Sequence, residues 1–540
     1  MNFDTRDPNN WQYRGLFDNR TLTKGSGWQA RGDAEWRTGS DIFSRLQFGI
    51  RYNTRKASRD QGGRYTPGQR FPGTDNLVYL LSDTPAGAHL LPCGFDYDNV
   101  QGVRCTVGAT YNSVFGNLDA LRTFAGADTA PPAFDPQLTF RADEKALAGY
   151  AQGHLDFDAG STAIKTIIGA RVVRTRDNLT GNQIDNVTHA VTPINRKNAY
   201  TDVLPNVNTR IQFSRNLQAR LAFTITRSRP NFTDLSPSIT LDPPTGECTT
   251  AGPTSINCFQ TAHGGNPDLK PTKSRNYDAT LEYYFGHQGA LSLALFQRDI
   301  KNSIFTSTED VPGGPNVNFV RLTAPFNSGK GKIRGFETNF TTFFDSWGLP
   351  QWASGFGVQA NYTYVHARTE LAPNFQAQLP GQQPFPGISK HTLNLIGMYE
   401  KGPISARLAY NWRSKFVIEY QDFQGLQAPL MERGHGTLDF SASYTPIENI
   451  TIAFDALNIL AGRDPLRRYR AFNTAGDTYP WNVKYLERVF SIGVRFRFSG
   501  GARAATSLPP VAPPPPPVVE PAPVQQPAPP PPPPAAPERG

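Results

Sequence analysis

The chain has 540 residues, with 54 Lys and Arg against 45 Asp and Glu and only 38% hydrophobic residues. It holds no run approaching the roughly 20 apolar residues of a membrane-crossing helix, which excludes a helical membrane protein. A membrane-crossing β-barrel is not excluded, because alternation dilutes its apolar residues. The net charge of +9 is dispersed and no recognition motif accompanies it, so no nucleic-acid partner is expected.

The chain opens Met1-Asn2-Phe3-Asp4-Thr5-Arg6-Asp7-Pro8, without the apolar core of an export signal. Residues 1–27 read as a loop or the remnant of a strand. Alternating segments then begin, near 28–38 and 43–55. A long polar stretch follows at 56–146, crowded with Tyr65, Phe71, Tyr79, Phe95 and Tyr97.

Alternation returns near 147–159, 163–175, 201–214 and 217–229. In the last of these Leu217, Leu221, Phe223 and Ile225 share one face, and Gln218, Arg220, Thr224 and Thr226 the other. It continues near 273–285, 289–302, 331–344, 355–367, 390–400, 403–415, 436–446, 449–459 and 487–498. A period of two over 8–12 residues means strands. The length matches the roughly 9–11 residues of a tilted membrane-crossing strand. The opposite face carries Arg and Asp, too costly in lipid and natural in a wet lumen.

About fifteen such strands are expected, joined alternately by tight and by long connections. The tight set is 39–42, 160–162, 215–216, 286–288, 401–402 and 447–448, with a modest link at 345–354. The long set is 56–146, 176–200, 230–272, 303–330, 368–389, 416–435 and 460–486. Long loops at one end only are the signature of an outer-membrane barrel, with the short turns periplasmic. A soluble sandwich has ordinary turns at both ends. The first and last strands then run the same way, so the count is odd, whereas an antiparallel barrel closes on an even one. The barrel is read as partial.

The four cysteines form two close pairs, Cys93/Cys105 and Cys248/Cys258. Each pair could close a short loop by a disulfide, which suits an oxidising compartment. Unrelated free pairs are the alternative. Metal binding is weaker, with no CxxC and no cluster of histidines with either pair. The last loop joins Tyr479 and Trp481 to Arg467, Arg468 and Arg470. With Tyr65, Tyr79, Phe95 and Tyr97 these are the candidate ligand contacts, because function concentrates on loops. Loop packing and contact with anionic lipid phosphates are the competing readings. The eight histidines show no HExxH spacing, and no GxSxG or phosphate-loop motif appears, so neither an enzyme nor a cofactor is expected. Seventeen of the 47 prolines lie between Pro509 and Pro537, so 499–540 reads as a disordered or polyproline II tail, a spacer or a ligand for a proline-recognition module.

Several stretches resemble the C-terminal barrel of TonB-dependent outer-membrane receptors, particularly the group found in sphingomonads, caulobacters and xanthomonads. They are 200–208, with Asp202 and Pro205; Arg229-Pro230-Asn231-Phe232; and Gly265-Asn266-Pro267-Asp268-Leu269-Lys270-Pro271, the most specific. They continue with Gly331 to Glu337, including Gly335; 454–460, with Asp455 and Asn458; and a closing strand ending in Phe498. Asp268 is read as capping a turn. Arg334 and Glu337, three positions apart, fall on opposite faces of their strand.

The resemblance implies an all-β antiparallel transmembrane barrel, here about 15 strands of 22, over 28–498. It implies an N-terminal plug and a TonB box, neither visible, and a position in the Gram-negative outer membrane with long loops outside and the proline-rich tail in the periplasm. It also implies outer-membrane lipid and lipopolysaccharide, the TonB-ExbB-ExbD system and a small nutrient as partners. Uptake of a scarce nutrient is expected, a carbohydrate first and a siderophore second. A passive porin or a structural barrel is the rival. Without plug and box, the chain alone is expected not to perform gated uptake.

Overall fold

In the computed structural model the described residues are 4, 6–67, 80–90, 107–245, 247–250, 252–286, 288–313, 315–371, 375, 379–423, 426–461, 466–471, 478–484 and 486–497. Fifteen strands form one antiparallel series. They are β1 (Gly15–Arg37), β2 (Phe43–Pro67), β3 (Phe140–Ala159), β4 (Thr162–Asp185), β5 (Val191–Gln212), β6 (Leu217–Ser228), β7 (Thr272–Phe285) and β8 (Gly289–Pro312). There follow β9 (Phe319–Phe343), β10 (Phe356–Glu370), β11 (His391–Lys401), β12 (Ile404–Arg413), β13 (His435–Ile447), β14 (Ile450–Leu457) and β15 (Val489–Phe496). Each pairs with the next, so sequence order is also spatial order. Among the described residues no pairing joins β1 to β15, and from Asn19 to Arg37 and from Val489 to Phe496 both faces of these end strands are exposed.

The alternation read from the sequence sets the register. On β3 the even residues are buried at Ala142, Glu144, Ala146 and Ala148, while Leu147 stands out on the other face, 49% exposed. Leu147 lies opposite Tyr52 on β2 and Arg174 on β4. The same outer parity carries Phe48, Ile168, Val203, Leu221, Leu281, Leu293, Leu408 and Phe454, all large and exposed. Together they form an apolar belt around the wall. Short turns close one end; Gly160 and Gly402 take φ of 64° and 57° there, a conformation that side chains with a Cβ resist.

All fifteen expected strands are present, but many extend further toward the long-loop end. The stretches 176–200 and 303–330, expected as loops, are mostly the continuations of β4, β5, β8 and β9, with turns of only 186–190 and 313–318 between them. The first strand begins at Gly15, so half of the expected remnant is wall. The alternation fades beyond the belt because polar residues stand on both faces there among a few apolar inner ones, while ladder hydrogen bonds keep the chain extended.

The connection after β6 is a second departure. Residues 229–271 form a hairpin, Ile239–Pro244 paired with Phe259–Gly264, whose outer edges join β4 and β9 in parallel. Along the wall β4 and β9 are five ladder steps apart, about 24 Å if flat; through the hairpin they are three steps, about 14 Å. The wall must curl for both paths to fit. Cys248 and Cys258 form a disulfide in this hairpin's loop; Cys93 and Cys105 lie outside the described residues.

Candidate ligand-binding site

Beneath this crossing segment the inner face of the long strands carries a buried charge cluster. Glu144 on β3 is 1% exposed. It accepts a bidentate pair from Arg55 on β2, at 2.9 and 3.1 Å, and a bond from Arg229 just after β6. Asp202 on β5, also 1% exposed, accepts from Arg227 and pairs with Lys273 on β7 at 2.7 Å. Asp177 on β4 faces Glu144 across the ladder, and neither of its carboxylate oxygens has a hydrogen-bond partner. The outer face at this level carries Lys145, Arg174 and Arg176, all exposed, so the cluster stands beyond the apolar belt. Burial, then the neighbouring Glu144 charge, pushes the Asp177 carboxyl up to about 6; Arg229, Arg55 and Arg227 hold it from rising further.

Two of the family-like stretches build this roof. In the first, Arg229 binds Glu144 and the Phe232 ring lies under the Arg55 guanidinium at 4.9 Å. In the second, Leu269 packs with Leu235 against Phe140, Ala142 and Leu179 of β3 and β4. Asn266 closes the turn there, accepting from the Asp268 amide at 3.0 Å and donating to the Pro325 carbonyl at 2.9 Å. The cap is therefore Asn266, not Asp268: the amide offers both acceptor and donor, a carboxylate only acceptors. Asn198 on β5 donates to the Pro267 carbonyl at 3.1 Å, and Pro271 is buried.

Further toward the short-turn end lies a cavity of about 690 Å³. Its polar lining is Arg31, Asp33 and Glu35 from β1, Gln47 from β2, Tyr150 and Gln152 from β3, Arg171 from β4, Asn206 from β5, and Thr224 and Thr226 from β6. Asp33 accepts from Arg31 and from the Tyr150 hydroxyl, the latter at 2.8 Å. The Arg171 guanidinium lies 5.2 Å from the Tyr150 ring centre. Two cations thus face two carboxylates among amides, hydroxyls and one aromatic ring.

The remaining candidates fall elsewhere. Tyr65 stacks on Phe17 at 4.3 Å and donates to the Arg14 carbonyl at 3.1 Å, half exposed at the far end of β2. Tyr479, Trp481, Arg467, Arg468 and Arg470 do come together, in a four-stranded sheet of Phe416–Phe423, Leu426–Glu432, Leu466–Ala471 and Thr478–Lys484. Two of its arginines are already engaged: Arg470 is 1% exposed with its guanidinium 4.4 Å from the Trp481 ring centre, and Arg468 bonds Glu432 at 3.0 Å. Tyr79, Phe95, Tyr97, Phe71 and Phe498 lie outside the described residues.

The other motif positions are built into the wall. A Cβ at Gly335 would run into the Tyr364 carbonyl of β10. Glu337 pairs with Ala294 and Thr363, and Arg334 with Gln297 and His366, on opposite faces as parity requires. Pro205 sits opposite Ala170, and Asp455 accepts from Ser491 at 3.4 Å. Asn458, at φ 53°, donates its amide to Asp439 at 2.6 Å.

Residues 1–459 match the family model described as TonB dependent receptor-like, beta-barrel. The chain belongs to this family. TonB-dependent receptors are outer-membrane proteins, receptors and transporters rather than enzymes. Among solved structures the chain is similar to the ferric citrate transporter FecA in its unliganded form, at 13% identity and a TM-score of 0.52. That match covers 90% of this chain and 56% of FecA, so the chain spans little more than half of that protein's length. It is also similar to the ferric yersiniabactin uptake receptor FyuA of Yersinia pestis, at 11% identity, TM-score 0.49, 89% of this chain and 56% of that one. The import receptor Fiu of E. coli K12 gives 13%, 0.48, 91% and 57%. No curated protein sequence matches. At such identities the likeness shows the fold alone.

Arg55, Glu144, Asp177, Arg227, Arg229 and Lys273 were not candidates from the sequence. Arg229 lies in a quoted motif, yet nothing in the spacing joins it to Glu144, 85 residues earlier.

Proposed function

We propose that this TonB-dependent receptor barrel serves TonB-energised uptake of a scarce polar nutrient, with a carbohydrate as the first ligand class and a ferric siderophore as the second. The long loops face the cell exterior and the short turns the periplasm. The ligand enters beneath the crossing segment and is held in the cavity around Tyr150. The observation that carries the reading is the lining of that cavity. Arg31 and Arg171 are matched by Asp33 and Glu35, leaving paired donors and acceptors beside one aromatic ring. Such a lining satisfies a neutral polyhydroxylated ligand, whose many hydroxyls each need a partner when dehydrated. A multiply charged ferric chelate would instead call for unmatched cations.

The test is equilibrium titration of the detergent-solubilised receptor with a panel of neutral hexasaccharides, ferric citrate and a ferric tris-catecholate. Binding of a neutral oligosaccharide in the micromolar range, lost by TonB-deficient cells as uptake, supports the reading. Binding of the chelates alone contradicts the carbohydrate assignment. Passive conductance through the open wall, unaffected by TonB, would make it a porin.

A further inference from the structure

From β8 to β13 the inner face carries one continuous row of neutral polar side chains. The registers set Ser292 on β8 opposite Asn339 on β9, and Asn339 opposite Asn361 on β10. Asn361 lies opposite Asn394 on β11, Asn394 opposite Asn411 on β12, and Asn411 opposite Thr437 on β13. The chain neighbours Leu293 and Leu395 stand outward in the belt, so the row faces the lumen. Asn339 is exposed and the other five are half-buried. Hydrogen bonds run along the row: Asn361 donates its side-chain amide to Asn339 Oδ1 at 2.6 Å, and Asn394 donates to Asn361 Oδ1 at 3.4 Å. Each bond uses one N–H and one lone pair. A carboxamide has two of each, so every asparagine keeps at least one donor and one acceptor beyond the row.

The row also climbs. Ser292 is three residues from the short-turn end of β8 at Gly289, and Thr437 ten residues from that end of β13 at Ile447. The difference is a rise of about 24 Å along the strands, and five ladder steps span about 24 Å across them. Cross-strand neighbours lie perpendicular to the strands, so in a tilted wall the row crosses the lumen diagonally. At its foot Ser292 lies opposite Glu282 on β7, whose carboxylate is taken by Gln218, Arg220 and Tyr284.

Charge is kept to the margins. On the long-loop side the flanking row reads Glu337, Thr363, Thr392 and Arg413, charged only at its two ends. On the other side Thr341 and Gln359 lead through Ile396 and Ala409 to one acid, Asp439. A polar, uncharged surface with a donor and an acceptor at successive strands matches a neutral polyhydroxylated chain. Adjacent hydroxyls of a sugar ring can accept from an amide N–H and donate to a carbonyl of the kind left free here. Each such bond replaces a bond to water for a small net gain, so the row binds along its length without holding tightly at one point, as passage requires.

We propose that Ser292, Asn339, Asn361, Asn394, Asn411 and Thr437 form a second, extended site for a neutral oligosaccharide, a track leading it from the upper lumen to the short-turn end. The inference rests on the carbohydrate reading above and deepens it. The cavity around Tyr150 is built from β1 to β6 and shares no residue with the track.

The experiment uses the full chain in detergent, titrated calorimetrically with malto- and cello-oligosaccharides of two to six units and with ferric citrate as the charged control. Wild-type protein is expected to show the cavity site and a weaker one whose affinity rises about threefold per added sugar from three units to six. The double variant N361L/N394L should weaken the second component at least tenfold for the hexamer and leave the first within twofold. N411L, expected to lose about threefold, and N411S, which keeps a hydroxyl and should lose less than twofold, keep the test open if the double variant fails to assemble. A second component equal in wild type and variants, or indifferent to oligosaccharide length, overturns the track and leaves the cavity reading standing. So does a lowered Tm in N361L/N394L with the length dependence intact, since the row is then only a brace between strands. A wild type that binds no oligosaccharide overturns both readings together.

Discussion

The two halves of the wall use the same belt and differ in what stands beyond it. In β1–β5 and β8–β9 the strands run 20 to 25 residues, whereas in β10–β15 they run 8 to 15. A belt needs only about 10 residues per strand. The first half therefore continues its ladders well past the belt, on residues polar on the outer face and mixed on the inner one, where Phe140, Ala142 and Leu179 meet the crossing segment. Those extensions supply the inner charge cluster, the attachment points of the crossing segment and the outward cations. The second half stops near the belt and places a separate small sheet above it, where Arg468 is tied to Glu432 and Arg470 lies on Trp481. Extension carries the buried charge cluster and the crossing segment in one half, and in the other a loop-borne sheet packs on itself.

This contrast predicts unequal responses to the same kind of substitution. The largest effect is expected at Glu144, where alanine leaves Arg55 and Arg229 without their shared partner in a buried site. A loss of about 4 kcal/mol is predicted, against about 1 kcal/mol for Glu432→Ala, which strands one arginine instead of two. Urea unfolding of the two variants in detergent measures both; equal losses would erase the distinction between the halves.

Asp177 gives the next effect, and its sign is the reverse. Its carboxyl is raised in the folded state from 3.8 to about 6, so folding favours its protonated form. Its penalty is absent below the unfolded value, grows as pH rises between about 4 and 6, and is complete above. Two units correspond to about 3 kcal/mol. Asp177→Asn should therefore stabilise the first half at pH 8 and change little at pH 4. A variant no more stable than wild type at pH 8 would show that the cluster does not hold an uncompensated acid.

Cys248→Ser opens the ten-residue loop of the crossing hairpin. A local loss of about 2.7 kcal/mol is expected from chain entropy. Hydrogen exchange should report it in 239–264 and the adjoining ends of β4 and β9, with β10–β15 unchanged. Exchange rising throughout the wall would mean that the hairpin holds the whole barrel. Asn458→Ala, in the second half, removes a side chain suited to positive φ and its bond to the Glu487 carbonyl; about 1 kcal/mol is expected.

The belt was fully legible. Leu217 to Ile225, or Phe490 to Phe496, announce their faces by alternation alone, and every one of the fifteen segments lies where that pattern put it. The extensions were not legible. Between Val173 and Leu179 the chain reads Val, Arg, Thr, Arg, Asp, Asn, Leu, with inner and outer positions both polar, so hydrophobic periodicity has nothing to report. Only the paired neighbour keeps such a stretch extended. The cavity residues were hidden for a different reason. Arg31, Tyr150, Arg171 and Thr224 come from four strands spread over some 190 residues, and only the register and curl of the wall bring them to one cavity. The motif residues Arg229 and Asn266 were visible as family-like, but their task of roofing the cluster depends on a hairpin that reads as loop.

The most direct test of the account is uptake in native cells, with substitutions placed at the chromosomal locus in each half. The probe is whichever radiolabelled oligosaccharide binds in the titration. Tyr150→Ala and Arg171→Ala in the first half are predicted to cut TonB-dependent uptake at least tenfold, while Tyr479→Ala and Trp481→Ala in the second change it less than twofold. Unaltered uptake in the first pair with loss in the second would place the ligand path on the loop sheet and contradict the account.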